Sequence, residues 1–204
     1  MYFYYIELNY IIQVKEGDFM IIGICGKSGS GKSTLANKII KKYDNGAVHL
    51  DIDKIGHKVL TINEVKNELI TYFSKTIIVE DEIDRKSLSN KVFASKKDMD
   101  KLTEITWSYM EKEIDNFLEN NVEKVVILDW LLLPKSKYFN ICDAKILLDI
   151  PYEVRKERAM KRDNISAKAF ELRDKSGIEF NDKDFNYVLY DTDDESIKRM
   201  VELL

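Results

Sequence analysis

The chain has 204 residues, a length that suits one domain with a full core and a small lid. Apolar residues make up 45% and charged residues 33%, which fits a soluble globular protein, and the net charge of −4 argues against a chain that wraps nucleic acid. The only cysteines are Cys25 and Cys142, and the only histidines, His49 and His57, lack metal-ligand companions at zinc-site spacing, so nothing points to a disulfide framework or a zinc site and a reducing cytoplasm is the expected location.

Residues 1–19 are aromatic and apolar in two patches, Tyr2-Phe3-Tyr4-Tyr5-Ile6 and Tyr10-Ile11-Ile12, broken by Glu7 and Asn9. The stretch is too short and too polar to span a membrane, and it lacks the basic start and small-residue cleavage site of a signal peptide. It reads either as an extra edge strand or as an extension that is not native, with Met20 the natural start. The purine-rich coding potential of Lys15-Glu16-Gly17 resembles a bacterial ribosome-binding site just ahead of that methionine.

From Met20 the reading is continuous. Met20-Ile21-Ile22-Gly23-Ile24-Cys25 is a short apolar run, a buried strand with Cys25 as a small buried thiol. Gly26-Lys27-Ser28-Gly29-Ser30-Gly31-Lys32-Ser33 then fits G-x-x-x-x-G-K-[ST], and Ser33-Thr34-Leu35-Ala36 opens a segment of helical spacing. Strand, glycine loop and helix form a phosphate cradle: the glycines let backbone N–H groups turn inward, and the helix N-terminus adds partial positive charge. Residues Gly26 to Thr34 are therefore expected to hold a nucleoside triphosphate, with Lys32 on its β- and γ-phosphates and Ser33 on magnesium.

After the Asn45-Gly46 turn, Ala47 to Asp51 reads as a second strand, with His49 a hydrogen-bonded core or edge histidine. Asp51 and Asp53 fall at its carboxyl end, where open α/β sheets bind ligands. Asp53 is either a base for an acceptor hydroxyl or a cap on the following helix. Asn63 to Ser74 has helical spacing, and Lys75 to Ile83 is β-prone. Ser95 and Asp98 form a capping-box pattern ahead of a helix ending near Asn120-Asn121, with Met99, Leu102, Ile105, Tyr109, Ile114 and Phe117 largely on one face.

Val125 to Asp129 is a third strand, Ala144 to Asp149 a fourth and Tyr187 to Tyr190 a fifth. Asp129 either holds magnesium or serves a turn or cap. Pro151 opens a helix on which Arg155, Arg158 and Arg162 share a face, either clamping triphosphate oxygens or facing solvent. The polar, helix-prone segment Arg162 to Gly177 is a lid or a plain surface helix. A last helix starts near Thr192 or Asp193. The alternation predicts an α/β fold: a mostly parallel five-stranded sheet with helices on both faces and a helical lid over about 158–177, all in a single domain from 20 to 204.

Taken in order, these segments resemble the dephospho-coenzyme A kinase family over almost all of Met20 to Leu204. The resemblance is carried by IIGICGKSGSGKSTLA, by LDIDKIGHKVL, by IDRKSLSNKVF, by the run from Asp149 to Ser166 with RAMKRDNIS, and by YVLYDTDDESI. It implies the P-loop three-layer fold and magnesium- and ATP-dependent phosphorylation of the ribose 3′-hydroxyl of dephospho-coenzyme A, with no nucleic-acid or membrane partner. It also implies roles: Asp53 as base, Lys32 and the loop amides on ATP, Ser33 on magnesium, and Arg158 and Arg162 closing over the phosphates. His57, Arg85 and Phe93 would lie on the acceptor side. The chain departs from the family pattern at Trp107-Ser108, where His-Pro is usual. It departs again at Leu131–Lys135, where Lys135 reverses the sign of the usual glutamate, and in the absence of a glutamine near Arg173 to Ser176. Two other readings of the loop remain: a kinase for a nucleoside or nucleoside monophosphate, and a nucleotide-binding regulator without turnover. No Asn-Lys-x-Asp motif supports a guanine-specific switch.

Overall fold

A computed structural model describes residues 19–44 and 46–204. The expectations for the N-terminal extension fall outside this range, save for Phe19. In chain order the elements begin with β1 (Met20–Cys25), α1 (Lys32–Lys42), β2 (Ala47–Asp51), α2 (Ile52–Val59) and α3 (Asn63–Phe73). They continue with β3 (Ile78–Val79), β4 (Glu82–Ile83), α4 (Arg85–Ala94), α5 (Lys96–Glu119) and β5 (Val125–Asp129). The rest are β6 (Ala144–Leu148), α6 (Tyr152–Asp163), α7 (Ala167–Lys175), β7 (Tyr187–Leu189) and α8 (Asp194–Leu203). The chain divides into two compact units, one reaching to Asp51 and resuming over Leu118–Leu204, the other Ile52–Phe117.

The first unit holds a five-stranded sheet in the order β2-β5-β1-β6-β7, with every neighbouring pair parallel. β1 and β5 are central and buried at every position, which is why both read as unbroken apolar runs rather than alternating ones. One face carries Ile22, Ile24, Ile127, Ile146 and Leu148, which pack with Leu35, Ala36 and Ile39 of α1 and with Ile197 and Met200 of α8. Behind the other face, Leu133 and Cys142 crowd Gly23 so closely that a Cβ there would lie 2.8 Å from each. α8 starts where the sequence places it, with the Asp193 carboxylate accepting from the Ser196 N–H at 2.7 Å.

The second unit is mostly helical. Ile52, Ile55 and Val59 of α2, Val65, Leu69 and Phe73 of α3, and Ile105, Met110 and Ile114 of α5 supply buried apolar side chains. On α5 the buried set differs from the expected stripe: Thr106 and Met110 are buried, while Met99, Leu102, Tyr109 and Phe117 are half-buried. Only half of the capping box forms. The Asp98 N–H donates to Ser95 Oγ at 3.3 Å, but the Asp98 carboxylate turns to accept from the Tyr72 hydroxyl at 3.1 Å. The β-prone stretch resolves into a 3-10 turn (Lys75–Ile77) and the short antiparallel β3–β4 hairpin. α4 has no counterpart in the sequence reading. Asp84 caps it, accepting from the N–H groups of Lys86 and Ser87 at 3.1 and 3.2 Å, and only Leu88 and Val92 are buried.

Candidate functional site

The phosphate-loop segment follows directly from β1 and is tightly shaped. The Ser30 N–H donates to the Lys27 carbonyl at 3.1 Å, closing a turn, and the N–H groups of Thr34 and Leu35 both reach the Gly31 carbonyl as α1 begins. Gly29 has φ +82, and a Cβ there would stand 2.2 Å from the Arg155 carbonyl oxygen. At Gly26, with φ +150, a Cβ would lie 2.6 Å from Ser30 Oγ and 2.8 Å from the Leu148 carbonyl. Both positions demand glycine on conformation and on space. α1 is preceded by Gly31, which brings no capping side chain, and no acidic residue occupies its first turn. Its leading N–H groups and the positive end of its dipole are thus left for an anion.

Register places the carboxylates at the same sheet edge. Asp129 ends β5 with Ile24 as its partner on β1 and Asp51 as its partner on β2. Asp129 is buried, and three side chains converge on it. Ser33 Oγ donates to its Oδ2 at 3.0 Å, Lys32 Nζ lies 3.8 Å from its Oδ1, and His49 Nε2 stands 3.4 Å from Oδ2. Lys32, Ser33 and Asp129 are thus brought together, and Asp129 faces the loop rather than capping a turn. The oxygen donors of Ser33 and Asp129, side by side at the mouth of the loop, match what a hard divalent cation prefers.

The arginine row on α6 splits. Arg158 is exposed and donates to Thr192 Oγ1 at 2.7 Å, and Thr192 lies against Gly31. Arg162 is also exposed. It bonds Asp163 through Nε at 2.7 Å and reaches Ser28 Oγ at 3.5 Å, so it stands at the loop. Arg173 donates to the same Asp163 at 2.5 Å, and the Arg162 and Arg173 guanidiniums hold the Asp163 carboxyl at about 2, well below the usual carboxylate range. Arg155 corrects the expectation of one shared surface face. It is buried and bonded to three separate segments, so it is not a phosphate ligand in waiting.

The remaining predicted residues lie in the second unit. Asp53 is exposed in the first turn of α2, two residues past Asp51, and His57 is exposed on the same helix one turn later. Arg85 is exposed as the first residue of α4, and Phe93 is half-buried near that helix's end. Sequence reasoning missed the approach of His49 to Asp129, the ion pair of Lys27 with Glu179 at 2.6 Å, and the role of Thr192. The strand period could have found the first, because His49 and Asp51 lie two apart on one strand; the other two join segments with no periodic relation.

The family model described as dephospho-CoA kinase matches residues 20–187. The dephospho-CoA kinase of Aquifex aeolicus is 37% identical over 165 residues, covering 79% of this chain and 82% of the relative. That of Fusobacterium nucleatum is 32% identical over 160 residues, covering 78% and 81%. The crystal structure of TT1252 from Thermus thermophilus superposes with a TM-score of 0.72 at 23% identity, over 91% of this chain and 95% of that one. The dephospho-CoA kinase from Campylobacter jejuni gives a TM-score of 0.52 at 24% identity, over 91% and 97%. The two structures bear out the predicted fold.

Proposed function

The chain belongs to the dephospho-CoA kinase family, and from that premise we propose that it transfers the γ-phosphoryl group of ATP to the ribose 3′-hydroxyl of dephospho-coenzyme A, the last step of coenzyme A biosynthesis. The observation that carries the reading is the convergence of Lys32 and Ser33 on the buried Asp129 at the mouth of the glycine loop. The loop amides and Lys32 hold the β- and γ-phosphates. Ser33 and Asp129 hold magnesium, an assignment supported by their paired oxygen donors. Held by these two residues, the ion would supply positive charge against the phosphate oxygens.

Asp53 acts as the base: its carboxylate takes the 3′-hydroxyl proton as the new O–P bond forms and the bond from the γ-phosphorus to the β–γ bridging oxygen breaks, releasing ADP. Arg158 and Arg162 meet the charge that builds on the transferring group. For Arg162 this reading draws support from its approach to Ser28. His57, Arg85 and Phe93 receive the acceptor, and the lid of about 158–177 excludes water over the reacting groups. Among the described residues no helix is long and apolar enough to cross a membrane. The two buried free thiols support a reducing cytoplasm as the protein's location.

The test is an acceptor screen in the presence of MgATP that follows ADP and phosphorylated product together. ADP and coenzyme A should appear in equal amounts with dephospho-coenzyme A. Asp53→Asn should lose turnover by about 10²- to 10⁴-fold while retaining ATP binding. Turnover of a nucleoside or nucleoside monophosphate with none of dephospho-coenzyme A, or ATP binding with no ADP release for any acceptor, overturns the assignment.

A further inference from the structure

Arg155 is a buried, heavily bonded side chain of the first unit that the proposed reaction leaves unused. It sits in the first turn of α6 with its side chain only 8% exposed, and three of its five N–H donors are taken by three segments. Nε donates to the Ile150 carbonyl at 2.8 Å, just beyond β6. Nη1 donates to Asp174 Oδ1 of α7 at 2.5 Å and to the Ser28 carbonyl of the phosphate loop at 3.5 Å. Its main chain touches the loop as well, since the Arg155 carbonyl is the group that forbids a Cβ on Gly29. One residue therefore braces the loop with its backbone and ties the same loop to α7 with its side chain.

The pair is expensive to bury. Asp174 is 14% exposed, and a desolvated Arg–carboxylate pair gives little net stability over an apolar pair of the same volume. Its planar fork gives it another capacity, which is to fix the relative placement of the groups it bridges. A second strap runs in parallel: Lys27 of the loop pairs with Glu179 just past α7 at 2.6 Å, and Gly177 lies beside the Lys27 side chain. The loop and the α7 segment are thus joined at two points, one buried and one at the surface.

We propose that Arg155 is a positioning residue that couples occupancy of the phosphate loop to the order of helix α7, through the Ser28 carbonyl on one side and Asp174 on the other. The coupling rests on ATP binding by the loop. Fixing Ser28 around phosphate fixes the guanidinium, and the guanidinium holds Asp174 and the helix that carries it. By reciprocity, a well-held α7 raises the affinity of the loop for ATP.

Hydrogen exchange of the full chain with and without MgATP, read by mass spectrometry on peptides covering 26–34 and 167–175, tests this together with ATP affinity by calorimetry. In the unmodified protein ATP should slow exchange in both peptides. In Asp174→Asn it should still slow the loop, but its effect on α7 should shrink to the small part that the Lys27–Glu179 strap transmits. The ATP dissociation constant should rise roughly tenfold in Arg155→Met and in Asp174→Asn, and the double variant should bind no more weakly than either single one, because both remove the same link. Arg155→Lys, which keeps the charge without the fork, should fall between. A merely structural pair would speed α7 exchange equally with and without ATP and leave the ATP-induced difference intact; that result, or multiplying effects in the double variant, overturns the proposal. If Arg155→Met does not fold, the near-isosteric Asp174→Asn carries the test alone. Loop protection without α7 protection in the unmodified protein sinks the coupling while ATP binding stands; protection of neither peptide sinks both.

Discussion

The Ser33 hydroxyl donates to Asp129 Oδ2 at 3.0 Å across 96 residues of sequence, while Lys32, the residue before it, lies 3.8 Å from the other carboxylate oxygen. Strand β5 delivers the carboxylate and helix α1 delivers the hydroxyl and the amine, so the pairing exists only because β1 and β5 are neighbours in register. Replacing Asp129 by alanine removes the acceptor for Ser33 and leaves the Lys32 ammonium, only 12% exposed, without its counter-charge. We expect kcat/KM for MgATP to fall by about 10²- to 10³-fold. Asp129→Asn keeps an oxygen for Ser33 but not the charge, and should fall nearly as far. Steady-state ADP release checks both, and retention of more than a tenth of the activity in Asp129→Asn would show that the charge at this edge is dispensable.

Gly29 and Arg155 make a second relationship open to direct test. With φ +82 and a would-be Cβ 2.2 Å from the Arg155 carbonyl oxygen, Gly29→Ala must either displace α6 or open the loop. The backbone strain alone costs about 1–3 kcal/mol. Because the loop is where that cost is relieved, ATP affinity should fall by more than tenfold while the sheet core stays folded. Calorimetric titration with ATP and a thermal melt separate the two effects. An unchanged dissociation constant would mean that the loop tolerates a side chain there.

These relationships show how much of the molecule was legible beforehand. The sheet could be read because β1 and β5 are buried on both faces and so consist of unbroken apolar runs. The loop could be read because its chemistry requires glycines at fixed spacing. α4 could not: only Leu88 and Val92 are buried, too few for a helical period, and the Asp84 cap was its one local mark. Arg155, Arg158 and Arg162 share a helical stripe as the spacing implies, yet one is buried and two are exposed. That difference is decided by Asp174, 19 residues away, which no local pattern connects to Arg155. The same holds for Lys27 and Glu179.

The Asp163 cluster gives a pH-dependent prediction. Arg162, joined by Arg173, holds the Asp163 carboxyl at about 2 in the folded protein. An unfolded chain protonates it near the ordinary value of about 3.9. Its contribution to stability is therefore complete above roughly pH 4 and is lost as the pH falls toward about 2. Since the group is partly solvated, Asp163→Asn should lower unfolding free energy near neutrality by no more than about 1 kcal/mol. Urea titrations at a series of pH values should show the gap between the two proteins closing below pH 4. A gap that persists unchanged at pH 3 would assign the effect to packing rather than to charge.

The two thiols provide a probe of the loop's own stability. Cys25 and Cys142 are buried and unpaired by any disulfide; burial pushes the Cys142 thiol up to about 12, and burial together with Cys142 pushes Cys25 higher still. Neither carries appreciable thiolate at pH 8, so neither should react with an aromatic disulfide reagent while the protein is folded. Both should react once denaturant is added. Cys25 is the last residue of β1 and adjoins Gly26, so its exposure requires β1 and the loop to open together. A ligand that binds only the closed loop suppresses that opening by mass action. In mild denaturant, MgATP should therefore slow Cys25 labelling in proportion to its concentration above the dissociation constant, and Lys32→Ala should abolish the slowing. Rapid stoichiometric labelling of the folded protein, or slowing that survives in Lys32→Ala, would contradict this account of how β1 and the phosphate loop are linked.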